Sequence, residues 1–137
     1  DVSEKSAKIA KDANIRKILK KFQINFSKKY KNCCIEGRDI STKILPRSDI
    51  KFFFRCNLNI AAKRRYNELK GANPNIKIKD VKKALRIRNI LDTKRKNSPL
   101  LKHRDSVEID TGKLNKRAML VKMTKHVEKI IKEKYGN

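Results

Sequence analysis

Glycine is scarce. The four glycines, Gly37, Gly71, Gly112 and Gly136, stand far apart, so these residues hold no GxxxxGK(S/T) loop to cradle nucleotide phosphates. Cysteine is limited to Cys33, Cys34 and Cys56. They form no CxxC pair, which argues against zinc. Their apolar surroundings predict buried, reduced thiols in a cytoplasmic protein. The two histidines, His103 and His126, have no metal-ligand spacing, so no metal is expected. No HExxH, Ser-His-Asp order or paired-carboxylate signature occurs. No apolar run approaches the ~20 residues of a membrane span. The opening DVSEKSAK lacks both an apolar signal core and a methionine, so the chain reads as a portion of a longer, non-secreted protein.

Acidic residues are few as well. Fourteen Asp and Glu face 38 Lys and Arg, for a net charge of +24. Such an excess suggests a polyanion and a basic nucleic-acid-binding module. The lysines are scattered, however, and the chain is also rich in Ile and Asn. A coding bias toward A and T enriches all three without any functional demand, so nucleic acid is not the expected partner.

At 137 residues, 38% hydrophobic and 38% charged, the chain has room for one domain with a lean core. Apolar spacing predicts a helix over residues 4–29, which Asp12-Ala13-Asn14 interrupts. Residues 32–36 read as a short buried strand and 50–56 as a second. Asn57 is a candidate cap for a helix from Leu58 to about Lys70, which Gly71 ends. Residues 78–93 read as a helix with Val81, Leu85 and Ile90 on one face. Residues 105–111 read as a third strand. A final helix, 114–135, carries the stripe Leu120, Met123, Val127, Ile130 and Ile131. Strands alternating with helices predict an α/β fold, a parallel sheet flanked by helices.

Two stretches carry candidate chemistry. Gly37-Arg38-Asp39 follows the first predicted strand, where parallel sheets place ligands. A strand-end binding loop and a plain turn with a surface ion pair both fit the local sequence. Arg88, Asp92 and Arg95 are spaced i, i+4, i+7, which puts them on one helix face. Two guanidinium groups around a carboxylate can grip phosphate and sugar oxygens. An exposed helix laced with salt bridges fits the same spacing. Arg64-Arg65 reads as a solvated helix face.

Taken in order, four blocks resemble bacterial cytidylate kinase, and the match covers most of the chain. IEGRDISTKILP is similar to that family's GRDIGT-x-x-x-P segment. IKFFFRCNLNIAAKRRYNELK is similar to its strand and RRxxEL helix. RIRNILDTKRKNSPL is similar to its R-x-x-x-D-x-x-R lid, and VEIDTGKLN to the strand before its last helix. The resemblance implies a P-loop nucleoside monophosphate kinase-like fold. Residues 1–137 would be the carboxyl-terminal part of one such domain, lacking its first strand and phosphate loop, with a lid at about 86–98. It implies a monomer that passes the γ-phosphoryl of ATP, with Mg²⁺, to CMP or dCMP.

The same resemblance implies site residues. Arg38 falls on a phosphate-contacting arginine, and Arg16 and Asp39 on cytosine-reading positions. Arg88 and Asp92 fall on the ribose-binding pair, and Arg95 on a lid arginine facing the transferred phosphate; Arg38 and Arg95 are thus the catalytic candidates. Ser41 stands where the family has glycine, and Asn89-Ile90-Leu91 departs from its mixed charges. Ser6-Ala7 reverses an Ala-Ser pair, so no role is carried to Ala7. Without a phosphate loop, the 137 residues by themselves are expected not to turn over CMP.

Overall fold

Phe52–Arg55 (β1) and Val107–Asp110 (β2) run parallel, with Phe52 opposite Val107, Phe53 opposite Glu108, Phe54 opposite Ile109 and Arg55 opposite Asp110. They make the one sheet among the residues that the computed structural model describes, which are 12–136 together with Lys5 and Ile9. Parallel strands need a long crossover. Here the intervening chain carries α2 (Leu58–Leu69) and α3 (Ile78–Lys94). Before β1 stands α1 (Ala13–Lys29), and after β2 comes α4 (Lys116–Tyr135). The α/β reading with a parallel sheet and flanking helices holds.

Three helices start where a side chain satisfies their free amides. Asp12 Oδ1 accepts from the Asn14 and Ile15 amides at 2.8 and 3.0 Å. Asp12-Ala13-Asn14 is therefore the break expected in the first helical stretch. Asn57 Oδ1 accepts from the Asn59 amide at 2.8 Å, and Asn115 Oδ1 from the Ala118 amide at 2.8 Å.

The chain divides into two compact units. One consists of Asp1–Arg47 and Arg86–His103, the other of Ser48–Leu85 and Arg104–Asn137. The second unit holds the sheet. Ile109 at the centre of β2 is fully buried there, and Ala62 and Val81 are buried too. Burying one such branched side chain stabilises a fold by roughly 1.5–3 kcal/mol. His126 sets its ring edge-on to Phe52, centroids 6.3 Å apart. Arg64 Nη2 donates to the Thr111 carbonyl at 2.8 Å, and Arg65 pairs with Glu68 at 2.9 Å. Both arginines are thus held by their own unit.

Several sequence expectations fail. Residues 32–36 form no strand, and Cys33, Cys34 and Cys56 are all exposed rather than buried. A β-favouring run becomes a strand only when another strand takes up its backbone donors and acceptors. Asp39 is instead followed by a single wide π-type turn, Ile40–Ile44. Ile90 is exposed, and so are Leu120 and Ile131 on α4. The Ser6-Ala7 pair lies outside the described residues.

α1 and the part of α3 that belongs to the first unit have polar inward faces. On α1 the least exposed residues are Arg16, Gln23, Ile24 and Ser27, while Ile18, Leu19 and Phe22 are exposed. On α3 the shielded stripe begins with Val81 and Leu85 and continues as Arg88, Asp92 and then Arg95 just past the helix. The stripe changes from apolar to charged where α3 passes from one unit into the other.

Candidate functional site

All six residues singled out from the sequence fall in the first unit. Two of the chain's few carboxylates, Asp39 and Asp92, are 6% and 5% exposed. Four arginines surround them. Arg16, reaching from α1, donates from Nη2 to Asp39 Oδ2. Arg38 Nε lies 3.3 Å from Asp92 Oδ2, and Arg88 Nε lies 3.9 Å from the same oxygen. Arg95 joins the two carboxylates: Nη1 is 3.7 Å from Asp92 Oδ1 and Nη2 is 3.9 Å from Asp39 Oδ1. Asp92 and Arg95 are thus shielded from solvent, while Arg88 stays over a third exposed in an i,i+4 pair with Asp92.

Local structure explains the placement. The Asp39 carbonyl accepts from the Lys43 amide at 2.9 Å and the Ile44 amide at 3.3 Å, which makes the turn wide. Thr42 Oγ1 lies 3.4 Å from the same carbonyl. A Cβ on Gly37 would stand 2.8 Å from Ile40 Cγ1, so glycine lets the chain enter this turn closely. Ser41 is half-buried inside it. The binding loop expected at a strand end is therefore a turn with no strand before it.

Past α3 the chain folds back. The Leu100 amide donates to the Asp92 carbonyl at 2.7 Å. Arg95 Nε donates to the Ser98 carbonyl. Ser98 has φ 53°, the one left-handed non-glycine residue among those described. Sequence reasoning missed Ser98; its sole signal was Pro99, which disfavours a helical conformation at the preceding residue.

The electrostatics are unbalanced. Four guanidinium charges face two carboxylates, so the cluster carries a net positive charge. Burial lowers the pKa of Arg38, the Asp92 carboxylate pulls it back up, and Arg88 and Arg95 lower it further. An arginine so far above neutrality stays charged at any physiological pH. Asp92 Oδ2 and Arg95 Nη2 are buried with no hydrogen-bond partner. Such groups are rare in folded proteins, because each forfeits about 1–3 kcal/mol. A buried donor in a positive cluster is suited to an anionic oxygen.

The family model for cytidylate kinase matches residues 1–129. The chain belongs to the cytidylate kinase family. It is 34% identical over 128 residues to the cytidylate kinase of Clostridium botulinum (strain Okra / Type B1), covering 93% of this chain and 58% of that relative. The cytidylate kinase of Clostridium tetani (strain Massachusetts / E88) is 35% identical over 135 residues, 98% of this chain and 59% of its own length. That of Rickettsia akari (strain Hartford) is 30% identical over 127 residues. The chain thus spans somewhat over half the length of the curated relatives it matches. Its parallel strands with flanking helices are consistent with a nucleoside monophosphate kinase fold. Among the described residues no helix is long and apolar enough to cross a membrane.

Proposed function

We propose that the six clustered residues form the acceptor-nucleotide site of a kinase that moves the γ-phosphoryl of ATP to CMP or dCMP, giving CDP or dCDP. The observation that carries this reading is the buried Arg95 Nη2, which meets Asp39 only at ion-pair distance and lacks a hydrogen-bond partner within a cluster of four arginines and two carboxylates. Membership of the cytidylate kinase family supports it. The whole protein would work in the cytoplasm, as a monomer.

The chemistry follows from the donor set. Phosphoryl transfer needs alignment and charge neutralisation more than covalent help from the protein. Arg38 would take the phosphate oxygens of the acceptor, and Arg95 the group in transit. Arg88 and Asp92 would hold the ribose hydroxyls. Cytosine presents an amino donor and ring acceptors, which a carboxylate and a guanidinium read together; Asp39 and Arg16 supply that pair. The contacts of 3.3–3.9 Å within the cluster are longer than hydrogen bonds, so a ligand can replace them with better ones. Residues 86–98 would act as a lid that brings Arg88 and Arg95 onto the acceptor and keeps water from the phosphoryl group.

The donor side is different. Among the described residues no three His, Cys, Asp or Glu side chains gather to hold a metal ion, and the 137 residues contain no phosphate loop. Mg²⁺ is ordinarily held largely by substrate phosphates and water. The clustered residues therefore account for the acceptor and the phosphoryl group in transit.

The test is turnover of CMP with ATP by the whole protein, set against UMP. A clear preference for CMP is expected, with modest dependence on salt. Binding to nucleic acid of any sequence that falls about 10³–10⁵-fold between 50 and 200 mM salt, without CMP turnover, would establish the basic-module reading instead. Asp39→Ala is expected to relax the discrimination between CMP and UMP, and unchanged discrimination would remove Asp39 from base reading.

A further inference from the structure

Arg95 has three nitrogens in three situations. Nη1 faces Asp92 and Nη2 faces Asp39, both at ion-pair distance. Nε alone donates a hydrogen bond, to the Ser98 carbonyl. A guanidinium is a rigid plane, so fixing Nε in direction also fixes where Nη2 can point. Nη2 is the nitrogen left buried without a hydrogen-bond partner.

The Ser98 carbonyl can reach Nε because of the backbone. At φ 53° Ser98 sits in the left-handed region, which residues with a Cβ avoid and which persists only where the surroundings enforce it. One feature holds it here, beside Pro99, which only disfavours the right-handed helical conformation at Ser98. The Leu100 amide is bonded to the Asp92 carbonyl at 2.7 Å, which closes the chain back onto the end of α3. Asp92 therefore anchors the loop through its main chain and faces Arg95 through its side chain.

We propose that Ser98 is a positioning residue: its strained backbone turns its carbonyl onto Arg95 Nε and so aims Arg95 Nη2 at the phosphoryl group in transit. The inference rests on the reading of Arg95 as the arginine that meets that group. The serine hydroxyl plays no part; the working feature is the conformation.

The Arg95 Nε–H proton, assigned by its loss in Arg95→Lys, reports the hydrogen bond in the whole protein without any ligand. Its exchange with water is expected to be slow in the native protein. Ser98→Ala removes only the hydroxyl, and Ser98→Gly relieves the left-handed strain, so both should keep exchange slow. Ser98→Val puts a β-branched residue where φ is positive, and exchange should rise by about tenfold or more as the bond is lost. In the whole protein, Ser98→Val should lower kcat while leaving KM for CMP nearly unchanged, and Ser98→Gly should match the native enzyme. Fast exchange in Ser98→Ala or Ser98→Gly overturns the proposal, whether or not the valine variant folds. Fast exchange in Ser98→Val with an unchanged kcat leaves the Ser98–Arg95 bond standing and removes Arg95 from the transferred phosphate, which overturns the catalytic role.

Discussion

Asp92→Ala should destabilise the first unit by about 3 kcal/mol, at the lower end of what breaking a buried ion pair costs. Asp92 is the carboxylate shared by Arg38, Arg88 and Arg95. Its removal leaves Arg95, whose side chain is 10% exposed, with the Ser98 carbonyl and, for counter-charge, only the more distant Asp39 carboxylate. Arg38 and Arg88 are more open and can turn to water, which is why the upper end of the range is not expected. Chemical denaturation checks this: the midpoint should fall with the slope unchanged. Glu68→Ala, which breaks only the exposed Arg65–Glu68 pair, should move it by well under about 1 kcal/mol. Equal shifts for the two variants would mean that the cluster is no more than a set of surface pairs.

The second large effect concerns rate. In the whole protein, Arg38→Ala and Arg95→Ala should each reduce kcat/KM for CMP by about 10²–10³, the scale of losing one preorganised donor to a developing charge. Arg95→Lys should recover little, because an ammonium cannot keep one nitrogen on a carbonyl while offering two others. Alanine in place of scattered surface lysines such as Lys82 or Lys122 should change the rate little. Steady-state kinetics decides the matter. Should the lysine variants lose more than the arginine variants, general positive charge would be the working property.

How far the sequence carried these conclusions depends on what each residue needs. Asn57 was readable as a cap because capping is local, and the partnered strands were readable from their β-favouring runs. The spacing of Arg88, Asp92 and Arg95 placed them on one face, and the structure gathers them there. Gathering does not assign their tasks, which remain for the substitutions above to test. Residues 32–36 misled because strand propensity says nothing about whether a partner strand is at hand. On α1 the apolar residues Ile18, Leu19 and Phe22 are exposed, and Arg16 turns inward to reach Asp39. A side chain 23 residues away in sequence decided the orientation, and no periodicity records it. The wide turn after Asp39 and the left-handed Ser98 were invisible for the same reason. Both are conformations imposed by hydrogen bonds to distant or main-chain groups.

The first unit is made of two stretches of chain separated by the excursion 48–85. The ion pairs Arg38–Asp92 and Asp39–Arg95 each take one member from either stretch. They work as the fastening that closes a long loop, and the entropy of that closure has to be met before any of these contacts forms. Assembly of the cluster and folding of the unit are therefore a single event. Any anion that settles among the arginines ties the two stretches together as well as occupying a site, so recognition and structural integrity draw on the same free energy.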